Sequence, residues 1–255
     1  IAAIISESKY YVEDKKLDSE VCLKLLHDSI KKKNIVGVQL IMNMPSFSKE
    51  SLMIQDIDNN NCFHYASEST LEIFEYLLDK HDDKNIMNIK NKHNQYCFDI
   101  AVNNNDKIAC KMLDLDIVTI DMIKNKESDK YTPFHRACLM KKKDIVDKLL
   151  AYSKFTPEDI TVKTTENISI FGYDELIDDI LVSIIKSDHF NQDMLVDNVK
   201  MNGRLQNKNV NIKIPYFLLM VYRSRLNVIT EILNKITDDK LLKLCDEKKN
   251  NLLYL

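Results

Sequence analysis

The chain has 255 residues, of which 45% are hydrophobic and 29% charged, a composition typical of a folded globular protein. No stretch approaches the roughly 18 uninterrupted apolar residues that a membrane-spanning helix needs, so no membrane insertion is expected. The 36 basic and 39 acidic side chains leave a net charge of −3, which creates no general attraction for nucleic acid, and no nucleic-acid partner is expected.

The number of glycines and the spacing of the cysteines and histidines exclude further classes of function. Three glycines in the whole chain leave no glycine-rich phosphate loop, so no nucleotide cofactor is expected. The six cysteines are dispersed without a C-x-x-C pair, which predicts reduced thiols and a cytoplasmic location, the cytosol of a host cell included. The histidines show no metal-ligand spacing with one another or with the cysteines, so no metal site is expected.

One order of residues recurs along the chain: a short apolar run, a polar turn, and a longer amphipathic run. The four clearest copies occupy residues 21–41, 61–78, 96–113 and 131–150. In the last three copies, His64, Asp99 and His135 stand in the same slot, at steps of 35 and 36 residues. Such a repeat indicates stacked units that share one hydrophobic core.

Each copy predicts an antiparallel pair of helices, since two runs with helical periodicity flank a short polar turn. Ala66, Ala101 and Ala137 fall at one place in the first helix, where a small side chain allows close packing. Polar stretches between the copies predict hairpin-like loops, because Asn and Asp tolerate left-handed turns. These stretches are 55–61, 90–95 and 126–130. The fold class is therefore predicted to be all-α.

Weaker copies follow in the C-terminal half. Their anchors are Gly172, Phe217 and Tyr254, at steps of 37, 45 and 37 residues. The fifth copy is expected to keep both helices without the signature, and the seventh to be truncated at the C-terminus. We therefore predict a single array of about six repeats over residues 1–255. The long step contains an insertion at 199–214, where Asn202 and Gly203 predict the turn of an extended hairpin.

The fourth copy carries a family resemblance. Its run from Thr132 to Ala137, Thr-Pro-Phe-His-Arg-Ala, resembles the T-P-L-H-x-A signature of ankyrin repeats, and partial copies lie in phase with it at 61–66 and 96–101. The resemblance implies a solenoid of helix-turn-helix units with short hairpin loops, in which loops and first helices form a concave face. It also implies that the job of the array is to bind another protein.

The sequence departs from the family pattern at the helix turn, where ankyrin repeats usually carry glycine. Asn34, Asn105 and Lys143 stand near that slot. Glycine-poor arrays rich in Asn, Lys and Ile are similar to those of intracellular bacteria and large DNA viruses. This similarity implies a pathogen effector or a host-range factor.

Residues that could suggest catalysis have structural explanations. His64 and His135 share their slot with Asp99, so no single chemistry is repeated. The resemblance implies that these histidines tie neighbouring units and loops together by hydrogen bonds. Cys62 and Cys97 share an apolar slot, which predicts core side chains rather than nucleophiles. We therefore expect no catalytic site, no metal and no cofactor, and the chain is not expected to be an enzyme.

Outward-facing slots that the fold does not need are the candidates for binding a partner protein, because stacking would line them up. The candidate partner-binding residues are Tyr65, Glu68, Asn103, Asn104, Arg136, Lys141 and Arg223. Tyrosine and arginine are favoured interface anchors, so Tyr65→Ala and Arg136→Ala are expected to weaken binding most.

The sequence thus predicts a monomeric module that binds another protein on its concave face. The alternative is the substrate-recruiting or targeting array of a larger multidomain enzyme, whose catalytic domain lies outside this sequence. Basic residues at the helix turns, at 31–33 and 141–143 and at Arg223 and Arg225, form either a solvated rim or a patch for an acidic partner.

Overall fold

The computed structural model describes residues 19–45, 47–81, 83–127, 131–164, 169–173, 176–195, 198–205, 208–223 and 225–235. Residue contacts divide the chain into two compact units, Ile1–Val118 (unit 1) and Thr119–Leu255 (unit 2). Most described residues are helical, which confirms the predicted dominance of α-helix. The expected start of a seventh copy at 250–254 lies outside the described residues, and a single array over 1–255 stays a prediction.

The described chain alternates longer helices with single helical turns. The helices are α1 (Ser19–Lys31), α2 (Ile35–Met42), α3 (Cys62–Ala66), α4 (Leu71–Lys80), α5 (Cys97–Asn104), α6 (Asp106–Asp114), α7 (Ile120–Ile123), α8 (Pro133–Leu139), α9 (Lys143–Leu150), α10 (Pro157–Thr161), α11 (Asp178–Lys186), α12 (Tyr216–Tyr222) and α13 (Leu226–Lys235). Turns of 3₁₀ helix add Lys49–Met53, Lys84–Asn88, Ile170–Gly172 and Gln192–Leu195. Strands β1 (Asn198–Leu205) and β2 (Lys208–Pro215) form one antiparallel hairpin.

Unit 1 contains three helix pairs that correspond to the first three sequence copies. The first helices α1, α3 and α5 contact one another in a row, and so do the second helices α2, α4 and α6. Hydrogen bonds join the copies at their turns: Ser69 Oγ donates to Ile30 O at 2.8 Å, and Asn105 Nδ2 donates to Ser69 O at 2.8 Å. The predicted stacking of helix pairs is confirmed within this unit.

The core of each pair comes from the same slots in every copy. Phe63, Phe98 and Phe134, which share one slot, are at most 1% exposed. The cysteines Cys62 and Cys97 are fully buried beside them, as expected for core side chains, and are free thiols. Repetition of the same apolar slots explains why the sequence alone located this core.

His64, Asp99 and His135, which share one slot of the repeat, stabilise the N-terminus of the first helix in their copies. Asn61 N–H donates to His64 Nδ1 at 3.1 Å, and Tyr96 N–H donates to Asp99 Oδ2 at 2.8 Å. Both side chains therefore satisfy an amide that a helix N-terminus would otherwise leave unpaired. His135 Nδ1 lies 2.7 Å from Oγ1 of the N-cap Thr132. A histidine and an aspartate can share this slot because either one supplies the required acceptor.

The turns between paired helices carry lysine where the backbone is left-handed. Lys33 and Lys141 have φ values of 55° and 60°. In the second of these turns, Lys141 N–H donates to Cys138 O at 3.1 Å and Lys142 N–H donates to Ala137 O at 2.8 Å. This is the Schellman arrangement, whose left-handed residue is usually glycine. The left-handed slots thus lie one or two residues before the expected positions Asn34 and Lys143.

We expect Lys141→Gly to raise the free energy of unfolding by about 0.5–1 kcal/mol, because glycine adopts a positive φ without steric cost. Chemical denaturation would measure the change. The matched control is Met140→Gly, since Met140 has a right-handed φ of −80° and should lose a similar amount. An equal loss in both variants would contradict the expected relief at Lys141.

Unit 2 departs from the predicted repeat in its fifth copy. The fourth copy forms the pair α8 and α9, and the sixth forms α12 and α13, as predicted. The fifth was expected to keep both helices, yet its first element is only the 3₁₀ turn Ile170–Gly172, so that expectation is wrong. The physical reasons are a glycine in the turn and an N-cap, Ser169, whose side chain makes no capping hydrogen bond.

The predicted hairpin in the insertion is confirmed, but its predicted turn is wrong. Gly203 pairs with Val210 inside the ladder, and the last pair is Leu205 with Lys208. This register pairs all eight residues of each strand. A turn at Asn202 would have left only the strand residues before it to pair. Backbone hydrogen bonding therefore favours the longer ladder over the local turn preference.

Candidate functional site

Two loops of unit 1 have the same backbone fold. In loop 56–60, Asp56 N–H donates to Asn60 O at 2.9 Å, and in loop 91–95, Asn91 N–H donates to Gln95 O at 3.0 Å. The left-handed residues are Asn59 (φ 59°) and Asn94 (φ 60°), which confirms the expected turn chemistry. These loops precede α3 and α5, so each presents its tip beside the start of a first helix.

The first side chain of each loop fixes the tip from inside. Asp56 Oδ1 accepts from the amides of Asp58 and Asn60, both at 2.9 Å. Asn91 Oδ1 accepts from the amides of the equivalent residues, His93 at 2.9 Å and Gln95 at 3.0 Å. In each loop, one side chain therefore accepts hydrogen bonds from two amides of the tip and fixes the local backbone conformation.

The two loops are also joined to each other. Asn91 Nδ2 donates to Asn60 Oδ1 at 3.0 Å, and Lys92 N–H donates to Asp58 O at 2.9 Å. The Lys92 ammonium lies 4.0 Å from the Asp58 carboxylate. We call the joined surface of loops 56–60 and 91–95 the loop face. It is a continuous, internally hydrogen-bonded platform rather than two independent loops.

Ile57 stands on the loop face with 81% of its surface exposed, the largest exposed fraction among the large apolar side chains that the structure describes. The same slot in the second loop holds Lys92, so the loop fold does not require an apolar residue there. Sequence reasoning missed Ile57 because it lies in a polar stretch. The available signal was its contrast with Lys92 at the equivalent loop position.

Tyr65, a predicted interface anchor, is half-buried and held by four neighbours. Its hydroxyl donates to Asp56 and accepts from Asn60 Nδ2 at 3.4 Å. The Lys31 ammonium lies 4.0 Å above the ring centroid, and the His27 ring centroid is 4.9 Å away. The expectation that the fold needs nothing from this side chain is therefore wrong, since Tyr65 joins the first two copies to loop 56–60.

Charge at this cluster is set by burial and by the Tyr65 hydroxyl. Burial alone would raise the pKa of Asp56, but hydrogen bonds from Tyr65, Asn60 and Asp58 outweigh it and lower that pKa. Burial and the Asp56 carboxylate raise the pKa of Tyr65. Burial lowers the pKa of His27 from 6.5 to about 4. At neutral pH Asp56 is therefore a carboxylate, Tyr65 a neutral phenol and His27 a neutral imidazole.

The other predicted residues of unit 1 lie at its helix turns. Glu68 is exposed in the turn between α3 and α4. Asn104 is exposed at the end of α5, where its Nδ2 donates to Ile100 O at 3.0 Å, and Asn103 beside it is half-buried. Because α3 contacts α5, the turn that follows α3 and the end of α5 belong to neighbouring copies. Glu68 and Asn104 thus keep the outward exposure that the sequence predicted.

Arg136, the second predicted anchor, lies in unit 2 and is mostly buried. Its Nη1 lies 3.1 Å from Glu127 Oε1, and the two side chains are 11% and 9% exposed. Glu127 precedes Arg136 by nine residues, the separation that also joins Asp56 to Tyr65. The expectation of an unengaged anchor is therefore wrong for Arg136 as well.

The remaining basic residues do not form a uniform stripe. Lys141 is exposed on its left-handed turn, whereas Arg223 is half-buried and burial lowers its pKa. Arg225 Nη1 donates to Leu176 O at 2.6 Å and lies 3.2 Å from Asp178 Oδ1. Because Arg225 is tied to Asp178, it belongs to neither a solvated rim nor a free patch.

Three cysteine thiols, the potential metal ligands and one groove are the other candidates for chemistry or ligand binding. Burial raises the pKa of the Cys62, Cys97 and Cys138 thiols, which disfavours the nucleophilic thiolate. Within the described ranges, no cluster of three or more His, Cys, Asp or Glu side chains could hold a metal ion. A groove of about 570 Å³ in unit 2 has Lys143 and Lys186 among its lining residues, and these lysines pair with Asp147 and Glu231.

None of the helices in the described part of the chain is both long enough and apolar enough to cross a membrane. No protein-family model matches the sequence, and no curated protein matches it closely enough to count as a relative.

Proposed function

We propose that the chain is a divergent ankyrin-like repeat array that binds another protein, and that the loop face of unit 1 is the centre of the binding site. The observation that carries this proposal is Ile57, an isoleucine with 81% exposure at the tip of a fixed loop. The family resemblance of 132–137 supports a protein as the partner. The partner would offer an apolar pocket for Ile57.

Preorganisation makes the loop face suitable for binding. Association costs free energy when loops and side chains must be ordered, and the hydrogen bonds that the Asp56 and Asn91 side chains accept from backbone amides have already fixed both tips. Burial of one isoleucine side chain contributes about 1.5–3 kcal/mol, a factor of roughly 10–100 in the dissociation constant. Lys92 and the Asp58 carboxylate add one charge of each sign beside Ile57, which would orient the partner.

The sequence-derived candidates of unit 1, Tyr65, Glu68, Asn103 and Asn104, are assigned to the periphery of this site. Arg136, Lys141 and Arg223 belong to unit 2 and are not assigned to the loop face. Tyr65 supports loop 56–60 indirectly, because its hydroxyl donates a hydrogen bond to the Asp56 carboxylate. Within unit 1, Glu68 and Asn104 are the two candidates that remain exposed enough to contact a partner directly.

The test is affinity capture with the purified chain from a lysate of cells that express it, followed by quantitative mass spectrometry. We expect Ile57→Asp to reduce the captured partner at least tenfold while leaving the melting temperature unchanged, because Ile57 makes no core contact. Binding of the identified partner would then be measured by calorimetry.

The matched control is Ile120→Asp. Ile120 is 51% exposed at the first position of α7 in unit 2 and is not a residue of the loop face, so this variant should capture the partner as well as the original chain. Capture that is unchanged by Ile57→Asp, or lost equally in both variants, would contradict a binding site on the loop face.

A further inference from the structure

The hairpin of β1 and β2 in unit 2 carries basic residues and no acidic residue. Its segment 198–215 contains four cations, Lys200, Arg204, Lys208 and Lys213. The whole chain has a net charge of −3, and the expectation of no nucleic-acid partner depended on that value. Averaging over 255 residues conceals this local concentration of positive charge, which attracts polyanions to the hairpin.

The register of the ladder places three of these cations on one face. Successive residues of a strand alternate between the two faces of a sheet, and directly opposite residues share a face. Lys200 pairs with Lys213, and Arg204 lies four residues after Lys200 on the same strand. We call the face of these three residues the polar face. The opposite face holds Gly203, Lys208 and the apolar residues Val199, Met201, Leu205, Val210, Ile212 and Ile214.

The pairing of Lys200 with Lys213 is unfavourable for the hairpin by itself. Like charges at directly opposite positions destabilise an antiparallel pair, and no acidic residue of the hairpin compensates them. A bound anion would remove this repulsion. The alternation of apolar and polar positions is itself typical of an antiparallel pair with one packed face and one solvated face.

The rest of the polar face is almost entirely asparagine. Beside Pro215, its other residues are Asn198, Asn202, Asn209 and Asn211. An asparagine amide offers a donor next to an acceptor, which matches the edge of adenine, and arginine or lysine matches the edge of guanine. A face built from these three residue types suits bases as well as phosphates, whereas an acidic protein segment would require only the cations.

The hairpin also has the dimensions of an element that enters a DNA groove. Eight residues in each strand give a ribbon about 27 Å long, and the two strands lie about 5 Å apart. The major groove of B-form DNA is about 12 Å wide and admits a two-stranded ribbon. At about 3.4 Å per base pair, such a ribbon extends along about eight base pairs.

We propose that the polar face of the hairpin binds double-stranded DNA, with the ribbon lying in the major groove. In this arrangement the three cations neutralise phosphates or contact guanine, and the asparagines contact the edges of adenine. The proposal concerns unit 2 alone, so it does not depend on a protein partner at the loop face of unit 1.

The test is the fluorescence anisotropy of a labelled DNA duplex of about 16 base pairs, titrated with the full chain at low salt. We expect Lys200→Gln/Arg204→Gln/Lys213→Gln to weaken binding at least tenfold, since three phosphate contacts would be lost. The matched control is Lys80→Gln/Lys107→Gln/Lys124→Gln, which removes the same charge from exposed positions outside the hairpin and should change the affinity less than threefold.

Two further measurements do not depend on the folding of the triple variant. Raising the salt concentration should weaken binding of the unmodified chain with a slope of log K against log salt of about −2.7, the value for three neutralised phosphates. Lys200→Arg/Lys213→Arg keeps both charges and should bind the duplex as the unmodified chain does.

Three results would overturn the proposal. The first is no binding of the duplex by the unmodified chain at protein concentrations up to about 100 μM. The second is an equal loss of affinity in the two triple variants. The third is displacement of the labelled duplex by poly-glutamate as effectively as by unlabelled duplex, which would assign the polar face to an acidic protein segment.

Discussion

Acidification from pH 6.5 to pH 4 is expected to destabilise unit 1 strongly, because two of its buried histidines bind protons less readily in the folded state than in the unfolded state. Burial lowers the pKa of His27 and of His64 to about 4. In the unfolded chain the pKa of each imidazole returns to its ordinary value near 6.5. The unfolded state therefore binds more protons than the folded state between pH 6.5 and pH 4. The free energy of unfolding therefore falls as the pH falls, and it is fully retained only above about pH 6.5.

The size of this effect is comparable with the stability of a whole domain. Each histidine accounts for about 3 kcal/mol between neutral pH and pH 4, to order of magnitude. Two in unit 1 give about 6 kcal/mol, while domains are stable by about 5–15 kcal/mol in total. His135, with a pKa also lowered to about 4 by burial, gives unit 2 the same trend with half the amplitude.

Circular dichroism at 222 nm, followed against pH at fixed temperature, measures this transition. His64→Gln should flatten the loss of stability between pH 6.5 and pH 4, because glutamine does not titrate and still offers an acceptor to Asn61 N–H. His93→Gln is the matched control, since His93 is exposed on loop 91–95. Equal pH profiles for the two variants would show that the buried imidazole is not responsible.

Repetition decided how much of this structure could be predicted from the sequence. The helix pairs, the phenylalanine core and the left-handed Asn residues of the loops occupy recurring slots, so each copy corroborates the others. The fifth copy lacks the signature residues. The apolar pattern that remains there did not reveal that its first helix shortens to the single turn Ile170–Gly172. The hairpin turn was missed because ladder length, a nonlocal quantity, outweighed the local preference of Asn202 and Gly203.

The candidate site was predicted less well, because whether a side chain is exposed or bound to a neighbour depends on a second residue elsewhere in the sequence. Tyr65 and Arg136 look free in a single copy, yet each contacts the acidic residue nine positions earlier, Asp56 or Glu127. The third copy has Asn91 and Ile100 at these positions and makes no such pair through Ile100. An acidic residue nine positions before Tyr65 and before Arg136 was the sequence signal that could have revealed both contacts.

Arg136→Ala is expected to lower the free energy of unfolding of unit 2 by about 3 kcal/mol. The guanidinium lies 3.1 Å from the Glu127 carboxylate, and both side chains are about nine-tenths buried. Removing one member of a buried ion pair is costly chiefly because the other charge keeps its desolvation penalty after losing its partner. Denaturant unfolding measures the loss, which should appear whether or not a partner protein is present.

A double-mutant cycle separates this structural cost from any contribution to binding. Glu127→Gln/Arg136→Met removes both charges while preserving most of the packing, so it should recover much of the stability lost in Arg136→Ala. The comparison pair is Glu75 with Lys111, which is 43% and 35% exposed, and Lys111→Ala should cost less than about 1 kcal/mol. Equal losses in Lys111→Ala and Arg136→Ala would contradict the buried pair. If binding is weak in Arg136→Ala but restored in the double variant, Arg136 supports the fold of unit 2 rather than contacting the partner.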